Sequence, residues 1–286
     1  MKINKDAILK VLKFVWVIAV VIGGVYYVIK NYAQAIQYLD SISPLKIIAS
    51  VALILIVRLL NTDLVQRSLE LVGWKPNFKE AFNLVSISQL GKYIPGGVWQ
   101  FVARFAAYKD NNLSVKNMGV SFLVENLWMV LGSLFVSLFF LGISAPVTIL
   151  DQFGIHLTTS LLQIISISSL VLFIISLIVI EFVVKTEYHK PKLKNVIPQF
   201  VSQFLLWVTL GVSFFVLFSK IGSLNDLFFT IGAFGISFLA GYVAIFAPGG
   251  IGIREYVAVV LFSILFNSSE IGIYTIMHRL LYTVVE

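Results

Sequence analysis

The sequence predicts an all-α polytopic membrane protein: a helical bundle carrying two oppositely oriented re-entrant helix pairs, each broken at Pro-Gly-Gly. Three observations carry that expectation. Of 286 residues, 59% are hydrophobic and 12% charged, the mean hydropathy is +0.95, and no region is polar enough to form a separate soluble domain. Apolar stretches near the roughly 20 residues that a spanning helix needs recur along the chain. Finally, Ile94-Pro95-Gly96-Gly97-Val98 is echoed by Ala247-Pro248-Gly249-Gly250-Ile251, each inside apolar sequence. Residues 1–286 read as one transmembrane domain.

The first apolar stretch, Phe14 to Ile29, follows Lys2, Lys5, Lys10 and Lys13. A secretory signal cleaved near Ala33-Gln34-Ala35 is the competing reading, but the run exceeds a typical signal core and Lys30-Asn31-Tyr32 intervenes, so an uncleaved helix is expected. The next stretch, Leu45 to Leu60, returns the chain to the basic side, where Arg67, Lys75 and Lys79 follow. Phe82 to Tyr108 then forms the first re-entrant pair, about residues 82–108. If it crossed, every later loop would reverse and the lysines at 185, 190, 192 and 194 would face outward, against the positive-inside rule. Met118 to Leu141, Leu157 to Val184 and Ile197 to Phe218 cross in turn. Leu227 to Ala247 opens the second pair, about 227–266, which dips from the external face. The last segment, Ile271 to Glu286, is short of a full span and reads as a truncated C-terminus. Ordinary Gly/Pro kinks in spanning helices are the alternative for both breaks.

The breaks carry the chemistry. Hydrocarbon leaves unpaired backbone groups unsatisfied, so matched breaks at membrane depth point to a polar cavity between them. Pro95, Gly96, Gly97, Pro248, Gly249, Gly250 and Gly252 are the expected hinge residues. Each break can begin a half-helix whose first N–H groups lack intrahelical partners and attract an anion. Beyond the first break, Gln100, Arg104 and Tyr108 share a face; beyond the second come Arg254 and Glu255. Before the first break, Ser86, Gln89 and Tyr93, with Lys92 adjacent, make one polar side. Ionisable residues within a span usually pair or line a pathway. Lys92, Gln100, Arg104, Glu125, Arg254, Glu255 and Arg279 are therefore the candidate contacts for an anionic lipid headgroup. Glu125 is expected to face inward, whether as a salt bridge to Arg104, Arg254 or Arg279 or in a functional role. Arg58 and Glu181, near the ends of their stretches, are expected to snorkel.

Other chemistries find little support. The chain has no cysteine, and His156, His189 and His278 are scattered, so no metal-ligand spacing exists. Gly250-Ile251-Gly252 lacks the third glycine and strand setting of a dinucleotide fingerprint, and no Walker sequence is present. No cofactor is expected. The formal charge of +7 resides in short loops, which reads as a topology signal and not as a nucleic-acid surface.

Two longer motifs, Gly91-Lys92-Tyr93-Ile94-Pro95-Gly96-Gly97-Val98-Trp99-Gln100 with Arg104, and Phe246-Ala247-Pro248-Gly249-Gly250-Ile251-Gly252-Ile253-Arg254-Glu255, resemble the membrane (flippase-like) region of lysylphosphatidylglycerol synthases. The resemblance covers essentially the whole chain. It implies a stand-alone member without the cytosolic aminoacyl-transfer domain, so synthase activity is not carried over. The lysine distribution places the N-terminus on the cytoplasmic side of the cell (cytoplasmic) membrane, and the resemblance, taken with the half-helix termini and arginines, leads to the expectation of a multi-pass protein that flips an anionic lipid such as a phospholipid or isoprenoid-linked phosphate. The alternative is a membrane-embedded transferase, or an accessory protein to a lipid-modifying synthase or glycosyltransferase, in lipid-linked glycan or aminoacyl-lipid synthesis.

Overall fold

The computed structural model describes residues 22, 26, 29–30, 32–91, 99–110, 113–144, 154, 158–184, 186–218, 222–244, 247–263 and 265–286. Most of the first apolar stretch lies outside them, as do Lys92, Pro95, Gly96, Gly97 and the side chain of Gln100. The described residues form helices α1 (Tyr32–Ser41), α2 (Pro44–Glu70), α3 (Phe78–Leu90), α4 (Trp99–Asp110), α5 (Val115–Ser144), α6 (Thr159–Val183), α7 (Val196–Phe215), α8 (Leu224–Val243), α9 (Ile253–Phe262) and α10 (Ser268–Val285).

Local signals set several starts. Asn77 accepts from the N–H of Glu80 at 2.9 Å while the Glu80 carboxylate accepts from Asn77 N–H at 2.9 Å, a reciprocal cap for α3. Ser223 and Asp226 repeat the arrangement at α8, and Pro44 occupies the first turn of α2. Helices α2, α5, α6, α8, and α7 with the 3₁₀ turn before it, are long and apolar enough to cross a membrane. This is a multi-pass membrane protein.

Helices α3, α4 and α9 have 13, 12 and 10 residues. At 1.5 Å per residue they reach about 15–20 Å, well short of a hydrocarbon core. They belong to hairpins. Tyr108, near the end of α4, packs edge-on against Trp74, just before α3, with ring centroids 5.9 Å apart. Phe262, the last residue of α9, meets Phe229 near the start of α8 at 5.6 Å. In each pair the two outer ends therefore lie side by side. The α3–α4 ends adjoin exposed Lys75, Lys79, Lys109 and Lys116. The α8–α9 ends lie opposite, where Asn225 donates to the carbonyl of Ser144 at 3.0 Å and Lys46 to that of Phe218 at 2.6 Å.

Small residues hold the long helices together, as expected where lipid supplies no hydrophobic drive between them. Ser133 donates to the carbonyl of Gly235 at 3.0 Å. A Cβ on Gly232 would stand 2.9 Å from both the amide of Leu141 and the carbonyl of Ser137, backbone atoms that cannot swing aside. We expect Gly232→Ala to cost roughly 1–3 kcal/mol through overpacking, seen as a lower thermal midpoint in detergent. Phe214, stacked on Phe234 at 4.2 Å, anchors the main apolar cluster; a second, smaller one gathers Val65, Leu69, Leu84, Val85, Tyr108 and Met118.

Two expectations fail here. Arg58 does not snorkel: it is 5% exposed and donates to Gln89 Oε1 at 2.8 Å and to the Glu286 carbonyl at 3.1 Å. The reason is that α2 runs on to Glu70, ten residues beyond the apolar stretch, which places Arg58 inside the bundle. Glu181 is also buried, accepting from Lys192 N–H at 2.9 Å and Asn195 Nδ2 at 2.8 Å and pairing with His189. This straps the loop after α6 over the end of α2, where Thr186 donates to the Leu71 carbonyl. Tyr188 lies against Gly73 there; at φ +89° a Cβ would meet its ring at 2.6 Å.

Candidate functional site

A cavity of about 520 Å³ separates the inner reaches of the two hairpins. Ser88 and Gln89 from the end of α3 and Arg104 from α4 form one wall; Gly241 to Ala244, the elbow after α8 and Arg254 form the facing one. Helix α5 contributes Glu125, Asn126 and Met129, and α10 contributes Arg279, Tyr282 and Glu286. Tyr242, 41% exposed, donates through its hydroxyl to Asn126 Oδ1, joining α8 to α5 at the rim.

The elbow is built on glycine. Ala244 leaves the helical region with ψ 71°, Pro248–Gly250 makes a 3₁₀ turn, and Gly249, Gly250 and Gly252 have φ of 58°, 69° and 89°. Other L-residues rarely adopt such angles. Gly250 also passes so close to α8 that a Cβ would stand 2.6 Å from the Gly241 carbonyl oxygen. The side chain of Glu255 reaches back to accept from Gly252 N–H at 2.7 Å, capping α9. Arg279 pairs with Glu255 and donates to the Gly249 carbonyl at 2.8 Å. These contacts clamp the elbow, and the carboxylate already neutralises part of the positive end of α9.

Arg254, 7% exposed, sits in an aromatic cage. Its guanidinium carbon lies 4.7 Å from the ring centre of Phe234, 4.6 Å from Phe238 and 5.7 Å from Tyr282. Such contacts offset part of the cost of burying the charge. Among the described residues no carboxylate lies within ion-pair distance of it. Arg104 differs: its Nη2 donates to Glu125 Oε1 at 2.7 Å. This single contact leaves Arg104 Nη1 and Glu125 Oε2 buried without hydrogen-bond partners among the described residues.

A family profile described as the lysylphosphatidylglycerol synthase TM region matches residues 14–285. The chain belongs to that family. No curated protein matches the chain.

In this lysylphosphatidylglycerol synthase-type membrane region, Arg104, Glu125, Arg254 and Arg279 come together on one cavity with Gly249 and Gly250. Glu255 lies behind the elbow and Gly252 caps α9. Pro248 starts the 3₁₀ turn. Tyr108, on the face of Arg104, packs its ring among Trp74 and Phe105 with its hydroxyl near Arg104, Glu125 and Ser121, and Ser86 bonds back to Phe82 within its own helix. His278 is a core residue: Ser213 commits its hydroxyl to the Leu210 carbonyl, so the His278 Nε2–H donates to Ser213 at 2.8 Å. The sequence reading overlooked the cage. Phe234 and Phe238 are one helical turn apart with Gly241 below, a visible pattern, but Tyr282 reaches them from another helix.

Proposed function

We propose that this protein translocates an anionic lipid across the cell membrane, the headgroup passing through the cavity while the acyl chains stay in lipid. The two hairpins then act as re-entrant pairs from opposite leaflets, with the basic end and the N-terminus cytoplasmic. One observation carries the reading: Arg254, a buried cation held by rings and with no carboxylate within ion-pair distance among the described residues, lines the cavity. A buried guanidinium is costly unless an anion compensates it, and a passing phosphate supplies that charge. Arg279 and Glu255 hold the elbow; Gly249, Gly250 and Gly252 let it turn. Lys92 and Gln100 are proposed as further headgroup contacts, and Pro95, Gly96 and Gly97 as further hinge residues, on the sequence motif alone.

In vesicles containing fluorescent anionic phospholipid, Arg254→Ala should slow headgroup passage about tenfold, equivalent to about 1.4 kcal/mol, with the thermal midpoint within a few degrees of wild type. An unchanged rate in folded protein would exclude Arg254 as the headgroup contact. A second reading, a membrane-embedded transferase acting on a lipid-linked sugar, draws on Glu125, a carboxylate lining the cavity and the kind of group a general base requires. Product formed from lipid-linked sugar and acceptor would favour it; redistribution without product favours transport.

A further inference from the structure

The most accessible ion pair among the described residues lies outside the cavity. Arg67, in the last turn of α2, donates through Nε to Asp63 Oδ2 at 2.8 Å, and Ser202 of α7 donates to the same oxygen at 2.6 Å. The Arg67 and Asp63 side chains are 34% and 29% exposed. Among the described residues, Asp63 Oδ1 and both Arg67 Nη nitrogens have no hydrogen-bond partner. Unlike the orphaned atoms of Arg104 and Glu125, they are not sealed in the interior. Oδ2 is thus turned in to Ser202, while three polar atoms open outward at the seam of α2 and α7.

An ion pair this open contributes little to stability by itself, so its depth in the bilayer decides what it meets. Helix α2 has 27 residues, about 40 Å, and so overhangs a hydrocarbon core of about 30 Å. Arg67 and Asp63 stand about 5 and 10 Å from its end, where headgroups give way to acyl chains. An apolar lane continues from them along the seam. Ser202 on Asp63, together with Ser50 donating to the Ser213 carbonyl at 2.8 Å, sets α2 and α7 antiparallel and brings Leu59 level with Leu205. Leu55, Ile56, Leu59, Val201 and Leu205 are each nearly half exposed there.

The open atoms are a donor fork beside a carboxylate oxygen, with no net charge between them. A phosphate accepts from the guanidinium, and a primary ammonium donates to Oδ1. A choline headgroup has the phosphate but no N–H to give. A glycerol headgroup can donate, but leaves its phosphate charge uncompensated beside Asp63.

We infer that Asp63, Arg67 and Ser202 form a boundary-lipid site on the outside of the bundle, holding a phospholipid with a primary ammonium headgroup whose acyl chain lies along the α2–α7 seam. The site is separate from the cavity and stands whether or not that cavity moves lipid.

The test uses delipidated full-length protein in detergent, titrated with short-chain phosphatidylethanolamine, phosphatidylcholine and phosphatidylglycerol, the first bound lipid being quantified by native mass spectrometry. The ethanolamine lipid should bind about tenfold tighter than either other lipid, through its paired charge-assisted contacts. Asp63→Leu removes the acceptor and should bring the ethanolamine-to-choline ratio close to one. Arg67→Gln should weaken all three lipids together. Both side chains are partly exposed, and the thermal midpoint verifies that each variant is folded. A wild-type ratio near one, or a preference that survives Asp63→Leu, overturns the inference. So does a preference lost in Arg254→Ala, because the lipid then sits in the cavity; an unchanged preference there keeps it on the outer seam.

Discussion

Arg104→Ala is expected to destabilise the protein by about 3–5 kcal/mol, because it strands Glu125 as an uncompensated charge in the bundle. The two side chains meet through one 2.7 Å contact, with no second partner for the Glu125 carboxylate among the described residues. Desolvating a carboxylate costs several kcal/mol, which only its pairing offsets. Replacing both residues by apolar ones of similar volume, Arg104→Met with Glu125→Leu, should recover most of the loss, since neither charge is then buried. Reversible unfolding in mixed micelles measures both variants. Equal destabilisation by the single and double variants would show that packing, not charge, sustains this contact.

Gly250→Ala should cost roughly 2–4 kcal/mol. A left-handed backbone penalises a Cβ by about 1–2 kcal/mol, and at φ 69° the new methyl would also stand 2.6 Å from the Gly241 carbonyl oxygen, a backbone atom that moves only if α8 and α9 part. Gly154 provides the control. Its φ is 70°, yet a Cβ there meets nothing within 4 Å among the described residues, so Gly154→Ala should show the conformational cost alone. The difference between the two midpoints in thermal unfolding isolates the close approach at the elbow. If the two variants fall together, close packing against Gly241 contributes nothing.

Much of the architecture was legible because hydrocarbon imposes a simple rule on length and polarity: the stretches from Met118, Leu157 and Ile197 correspond to α5, α6 and α7. The inner half of α2 was not. Asn61, Thr62, Asp63 and Gln66 lower the hydropathy there, and their inward placement depends on α3 and α7, as when Ser202 donates to Asp63 at 2.6 Å. The cavity was readable as a set of residues but not as a division of tasks. Gly252 and Glu255 have the three-residue spacing of a helix cap, and that spacing was the signal for what Glu255 does. The partner of Glu125, by contrast, was open among three arginines, because only folding decides which helices adjoin.

The small cluster around Tyr108 is separate from the large one around Phe214, and the cavity lies between the inner parts of the two helix pairs. A body with two dense nuclei yields first along the band between them, where packing is loosest. Hydrostatic pressure, which acts through internal void volume, will therefore register there earliest, before either nucleus softens.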